Sequence, residues 1–191
     1  MKITPYKVIL ASNSPRREEL LRGIDIDFEV KTLPDIDESY PNGLLKEEIA
    51  EFVATNKAKS YISSLSEDEM LITADTIVLL DEKVFGKPIN KEEAKQMLHT
   101  LSGKTHKVIT GVCLTTTTKQ TSFSATSNVE FGELTDSEIE YYVEHYSPLD
   151  KAGAYGVQEW IGYVAVKHID GSYYNIMGLP IHRLYHEIRN F

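Results

Sequence analysis

Met70-Leu71-Ile72-Thr73-Ala74-Asp75-Thr76-Ile77-Val78-Leu79-Leu80 is the strongest strand signal in the chain, a run of apolar and β-branched residues with acidic residues on both sides. Upstream of it, strands and helices alternate. Lys7–Ala11 reads as a short apolar strand. Ser14 then stands as an N-cap, with Pro15 at the first helical position and Gly23 as the stop, so a helix is predicted between them. Phe28–Lys31 reads as a strand, followed by the polar, acidic loop Pro34–Gly43. From Leu45, apolar positions Ile49, Phe52, Val53 and Ala54 recur at helical spacing and continue to Tyr61 or Ile62. Downstream, Asn90 with Glu93 three residues later predicts a capped helix that ends near Leu101, with Gly103 as its stop. His106–Thr117 and Thr121–Phe131 read as paired strands around Lys119-Gln120. Thr135 with Glu138 repeats the capping pattern and opens a helix through Tyr146. Gly153–Gly156 reads as a loop, Tyr163–His168 as a strand, and Pro180 as the start of a final helix to Asn190. Alternating elements early and adjacent strands late predict an α/β fold with a mixed sheet.

Composition sets the class. Among 191 residues, 20 Lys+Arg face 29 Asp+Glu, a net charge of −9, and 41% of residues are hydrophobic, as expected for one soluble globular domain over residues 1–191. That charge argues against a general nucleic-acid binder, whose affinity comes from neutralising phosphates. Cys113, the one cysteine, excludes an internal disulfide; it lies in an apolar strand and reads as a buried, inert thiol. Val8-Ile9-Leu10-Ala11 is shorter than the ~7–15 residues of a signal-peptide core. No run approaches the ~18–20 apolar residues that span a bilayer. The expectation is a cytoplasmic protein without membrane or nucleic-acid partners. Tyrosine-rich stretches such as Tyr141-Tyr142, if exposed, point to a homodimer.

Four places carry candidate chemistry. Ser12-Asn13-Ser14-Pro15-Arg16-Arg17 joins a strand to a helix N-terminus, where backbone amides and the helix dipole favour an anion. The two arginines add planar donors that suit phosphate oxygens. A capped helix start with two solvated arginines is the alternative. Asp75 stands inside an apolar strand, a costly place for a charge unless something stabilises it. A carboxylate there can bind a divalent metal or act as a general base; the alternative is a buried Asp satisfied by backbone amides. Lys57, among small residues of a helix, and Lys87, in Gly86-Lys87-Pro88, each read singly as surface lysines. In Asp150-Lys151-Ala152-Gly153-Ala154-Tyr155-Gly156-Val157-Gln158, small residues let a backbone approach a ligand closely. Gln158 can donate and accept there, as reading a nucleobase edge requires, or the segment is simply a glycine-directed turn.

Three other signals carry nothing. Ser102-Gly103-Lys104-Thr105 lacks the first glycine of a P-loop, since residue 98 is Leu98, and it lies between a helix and a strand in the wrong order. His182 and His186 are four apart, but Arg183 follows His182 where a zincin has Glu. No Gly-x-Ser-x-Gly nucleophile elbow occurs.

As an ordered set, Ala11 to Arg17, Ala74-Asp75-Thr76, Gly86-Lys87-Pro88, Thr110-Gly111-Val112, Asp150 to Gln158, Gly171-Ser172-Tyr173 and Gly178-Leu179-Pro180 resemble the Maf family of nucleoside triphosphate pyrophosphatases. The resemblance covers essentially the whole chain. It departs mildly at Asn13, where Gly or Thr is expected. It implies an elongated mixed sheet flanked by helices, with two lobes around a deep cleft, as in inosine triphosphate pyrophosphatases. It also implies hydrolysis between the α and β phosphates of dTTP and UTP, rather than of 7-methyl-GTP, with modified pyrimidine nucleotides as further substrates.

By the same resemblance, Asp75 is the proton acceptor, and Arg16, Thr76 and Gln158 set the choice of base. Ser12, Ser14, Arg17, Lys57 and Lys87 would hold the phosphate chain. A divalent cation, Mg²⁺ or Mn²⁺, would sit on Asp75, with Glu38 as a candidate second metal carboxylate and a solvated loop acid as the alternative for Glu38. The competing reading is a nucleotide-binding regulator of septum formation acting through protein contacts, for which Asp75 would be an unneeded cost.

Overall fold

The computed structural model describes residues 3–191. Its strands are β1 (Lys7–Leu10), β2 (Phe28–Val30), β3 (Glu69–Leu80), β4 (Lys83–Phe85), β5 (Thr105–Thr115), β6 (Gln120–Phe131) and β7 (Val166–Asp170). Its helices are α1 (Pro15–Arg22), α2 (Ile49–Lys59), α3 (Lys91–Leu101), α4 (Asp136–Tyr146), α5 (Trp160–Ala165), α6 (Tyr173–Ile176) and α7 (Ile181–Asn190). The strands run in the order β2-β1-β3-β5-β6-β7, with β4 paired to β3. β1 is parallel to β2 and β3, whereas β4 pairs antiparallel with β3 and β7 with β6. The expected mixed α/β sheet is present.

The chain forms two compact units, and β3, β5 and β6 each contribute to both. The first unit holds the residues up to Asp75, Thr110–Ala125 and Gly178–Phe191. Its core packs Ile9, Leu71 and Cys113 of the sheet against Ala54, Ala58 and Tyr61. Small residues on α2 let that helix lie close to the strands. A Cβ at Gly111 would fall 2.3 Å from the backbone of Ala50 and Glu51, so only glycine permits this approach. The buried Thr73 hydroxyl donates to the Ala54 carbonyl at 2.7 Å and fixes α2 along β3. Cys113 is buried as expected, and burial pushes its thiol pKa up.

The second unit holds Thr76–Ile109 and Thr126–Met177. Here Thr135 and Glu138 form the full reciprocal capping box at the start of α4. At α3 the Asn90 side chain accepts from the Glu93 amide, but the Glu93 carboxylate accepts from the Ile89 amide instead of closing the box.

One strand expectation fails. Tyr163–His168 is divided, Tyr163 to Ala165 belonging to helix α5 and Val166 onward to β7. The β-branched and aromatic composition suggested a strand, yet Ile161 and Ala165, four apart, face the interior while Tyr163 is 86% exposed. That is a helical spacing of buried positions. Gly162 sits so tightly on Val157 that any Cβ would overlap its carbonyl. Two short elements escaped the sequence reading altogether: β4, and the single turn α6 capped by Ser172.

Candidate active site

Along β3 every residue is buried except Asp75 and Thr76. Parallel pairing sets Leu10 opposite Ile72, and the Ala11 amide extends the ladder to the Ile72 carbonyl at 2.9 Å. The chain leaving β1 through Ser12 to Ser14 therefore runs beside the stretch of β3 that ends in Asp75. Ser14 has the extended backbone of an N-cap but makes no side-chain cap bond. Instead the buried Ser12 hydroxyl accepts from the Ser14 amide at 3.2 Å and tightens the loop. Arg17, in the first turn of α1, donates through Nε to the Gly178 carbonyl and through one terminal nitrogen to the Ala74 carbonyl, each at 2.8 Å. Its guanidinium thus ties α1 to β3 and to the turn before α7. Burial pushes its pKa down and Asp75 opposes the shift; an arginine stays charged regardless.

Lys57 is not the surface lysine its local sequence suggested. Its side chain is only 12% exposed, and its ammonium lies 2.8 Å from Oδ1 of Asp75 and 2.9 Å from Oε1 of Glu38. Asp75 is 17% exposed and Glu38, in the acidic loop, 53%. The costly carboxylate of β3 is therefore stabilised by an ion pair rather than by backbone amides alone. Two carboxylates meeting at one cationic point also form a hard oxygen donor set. Mg²⁺ and Mn²⁺ suit such a set, taking one or two carboxylates and leaving positions for water and phosphate oxygens. Among the described residues no group of three or more His, Cys, Asp or Glu is gathered for a metal.

Ser12, Ser14, Arg16, Arg17, Glu38, Lys57 and Asp75 all belong to the first unit; Thr76, Lys87 and Gln158 belong to the second. Lys87 is exposed in the loop after β4. Gln158 is half-buried, and its side-chain oxygen is buried without a hydrogen-bond partner among the described residues. Gly153 and Ala154 both take left-handed backbone, and the Gly153 amide donates to the Gly86 carbonyl at 3.0 Å. Tyr142 is fully buried, so only Tyr141 of that pair has the exposure a dimer contact needs. His182 and His186 lie on the exposed face of α7.

The sequence reading missed the supports of the 150–159 segment. His106 of β5 is buried, with Nε2 2.8 Å from the Tyr155 hydroxyl and its ring edge-on to Phe131. Burial lowers its pKa to about 4. The unfolded chain, with the imidazole near 6.5, then binds the proton first as pH falls. His106 should therefore cost no stability above pH 6.5 and progressively more between 6.5 and 4, reaching roughly 3 kcal/mol. Urea unfolding of wild type and His106→Gln across that range checks this. Equal pH slopes in the two proteins would refute it.

Comparisons with known proteins show the fold and the family of the chain. Among solved structures, a HAM1 protein from Coxiella burnetii matches with a TM-score of 0.50 at 15% identity, covering 97% of this chain and 100% of that one. The α/β fold of this chain is thus similar to that of the HAM1 protein. A family model described as Maf-like protein matches residues 7–191. The dTTP/UTP pyrophosphatase of Bacteroides thetaiotaomicron is 61% identical over 184 residues, covering 96% of this chain and 95% of that protein. The dTTP/UTP pyrophosphatase of Phocaeicola vulgatus is 60% identical, with the same coverage, and that of Flavobacterium johnsoniae is 48% identical over 96% of this chain and 94% of its own. The chain belongs to the Maf-like protein family.

Proposed function

We propose that this protein hydrolyses dTTP and UTP between the α and β phosphates, giving the monophosphate and pyrophosphate, and that residues 1–191 work as one catalytic domain in the cytoplasm. The observation that carries this reading is the Lys57–Asp75 pair at 2.8 Å, placed on α2 and β3 in a chain 60% identical to a dTTP/UTP pyrophosphatase. A carboxylate paired with an ammonium offers a proton acceptor next to a phosphate-binding cation. Asp75 takes the proton of the attacking water. Lys57, Arg17, Lys87 and the Ser12–Ser14 loop hold the phosphate chain, whose roughly four negative charges need concentrated cations on a protein of net charge −9. Asp75 and Glu38 are the residues that would hold Mg²⁺ or Mn²⁺, which when bound neutralises charge on the phosphates. Arg16, Thr76 and Gln158 select the base. The relatives' names favour catalysis over a purely regulatory role.

UTP and dTTP present two carbonyls flanking one N–H, whereas CTP replaces a carbonyl by an amino donor. A site matched to the first pattern leaves groups unpaired with the second. With Mg²⁺, UTP should yield UMP and pyrophosphate, and CTP, ATP and GTP should react at least about tenfold more slowly, a difference of roughly 1.4 kcal/mol. Release of UDP and orthophosphate, full activity in excess EDTA, or GTP outpacing UTP would overturn the reading.

A further inference from the structure

Residues on either side of Gln158 in the chain, Gly156 and Glu159, meet at a single hydroxyl. Tyr142, fully buried on α4 and stacked on Tyr146, accepts from the Gly156 amide at 3.0 Å, two residues before Gln158. The same hydroxyl donates to Oε2 of Glu159, the residue after Gln158. The other Glu159 oxygen lies 3.0 Å from the ammonium of Lys151, which also pairs with Asp150 at 2.8 Å. Lys151 is itself only 9% exposed, so Glu159 is committed to two buried partners. Gly156 makes this possible. A Cβ there would lie 2.9 Å from the Glu159 carboxyl carbon and 3.0 Å from Cε of Lys151, where the pair folds across the loop. Tyr155, next in line, is held by its hydroxyl on His106 and its ring against Phe131.

Anchors on the Tyr155 side chain, the Gly156 amide and the Glu159 carboxylate leave the buried Val157 and the half-buried Gln158 little freedom between them. An amide can tell a carbonyl from an amino group only if its own oxygen and nitrogen are held in a fixed orientation. A displacement of about 1 Å is enough to forfeit such selectivity. The Gln158 oxygen, buried without a hydrogen-bond partner among the described residues, is the acceptor this frame leaves unused.

We propose that Tyr142 and Glu159 are positioning residues for base selection, holding Gln158 in register through the Tyr142 hydroxyl. This rests on the reading that Gln158 reads the pyrimidine. Burial and the neighbouring Glu159 push the Tyr142 phenol pKa up, so the group remains a donor at any working pH.

Tyr142→Phe removes only the hydroxyl, and Tyr141→Phe on the exposed face of α4 is the control. For the folded Tyr142→Phe protein, the ratio of kcat/KM for UTP to that for CTP should fall about tenfold. The change should come through a higher KM for UTP, with kcat on UTP within about threefold of wild type. Amide exchange at residues 156–159 should rise, and Tyr141→Phe should match wild type. An unchanged ratio, or a loss shared equally by UTP and CTP, overturns the proposal. Should Tyr142→Phe fail to fold, Glu159→Gln gives the same reading: it sets an amide N–H against either the Lys151 ammonium or the Tyr142 hydroxyl, and an unchanged ratio again overturns it. Gln158→Ala separates the two claims. A wild-type ratio in that variant overturns base reading by Gln158 and the positioning role with it. A lowered ratio there with an unchanged one in Tyr142→Phe overturns the positioning role alone.

Discussion

Asp75→Asn is expected to lower turnover of UTP by about 10²–10⁴, the range typical of a lost general base. Asparagine has the size of aspartate and can still accept from the Lys57 ammonium, which lies 2.8 Å from Oδ1. What it lacks is the negative charge, and with it the ability to take a proton from water or to hold a cation. The backbone around it is secured independently, by the Arg17 bond to the Ala74 carbonyl and by the Thr73 hydroxyl on α2. Circular dichroism and melting temperature should therefore stay close to wild type while turnover collapses. Near-wild-type turnover by a folded Asp75→Asn protein would remove the carboxylate from the mechanism.

Asp75 stands out in the sequence because a charge inside an apolar strand demands compensation. The compensating residue was not legible by the same route. Lys57 is one of two lysines on α2, and its burial follows from the approach of α2 to the sheet. That approach depends on Gly111, whose absent side chain matters only once the Ala50 backbone is known to lie against it. Glu38 is one acid in an acidic loop, and what singles it out is the 2.9 Å contact with Lys57.

Strands and capped helices were readable because their signals are local, the Thr135–Glu138 box most clearly. Tyr163 to Ala165 misled because composition suggested a strand while the burial of Ile161 and Ala165 followed a helical period. Tyr142, Glu159 and Lys151 gave no sign of acting together. Their link runs through one hydroxyl and one carboxylate meeting across a loop, and nothing in residue spacing encodes that.

Lys57→Met is expected to lower kcat/KM for UTP by about 10²–10³, the loss seen when a positioned group that stabilises developing charge is removed. Methionine retains most of the aliphatic stem, so the packing of the largely buried side chain is approximately kept. Only the ammonium is lost, leaving Asp75 and Glu38 facing the position it held. If Lys57 served merely to neutralise those two acids, the folded variant would keep wild-type kinetics and lose only thermal stability. If it holds the phosphate chain, kcat/KM falls while the protein remains folded at the assay temperature. Lys57→Arg sharpens the distinction, because it restores the charge on a longer, planar group that cannot occupy the same point between the carboxylates. Partial rescue of stability without full rescue of kcat/KM is the expected pattern, and wild-type kcat/KM in Lys57→Met would exclude Lys57 from the phosphate site. α2 itself is held by Thr73 on Ala54 and by the close approach at Gly111. The helix stays in place in either variant, and the measured loss reports on the ammonium alone.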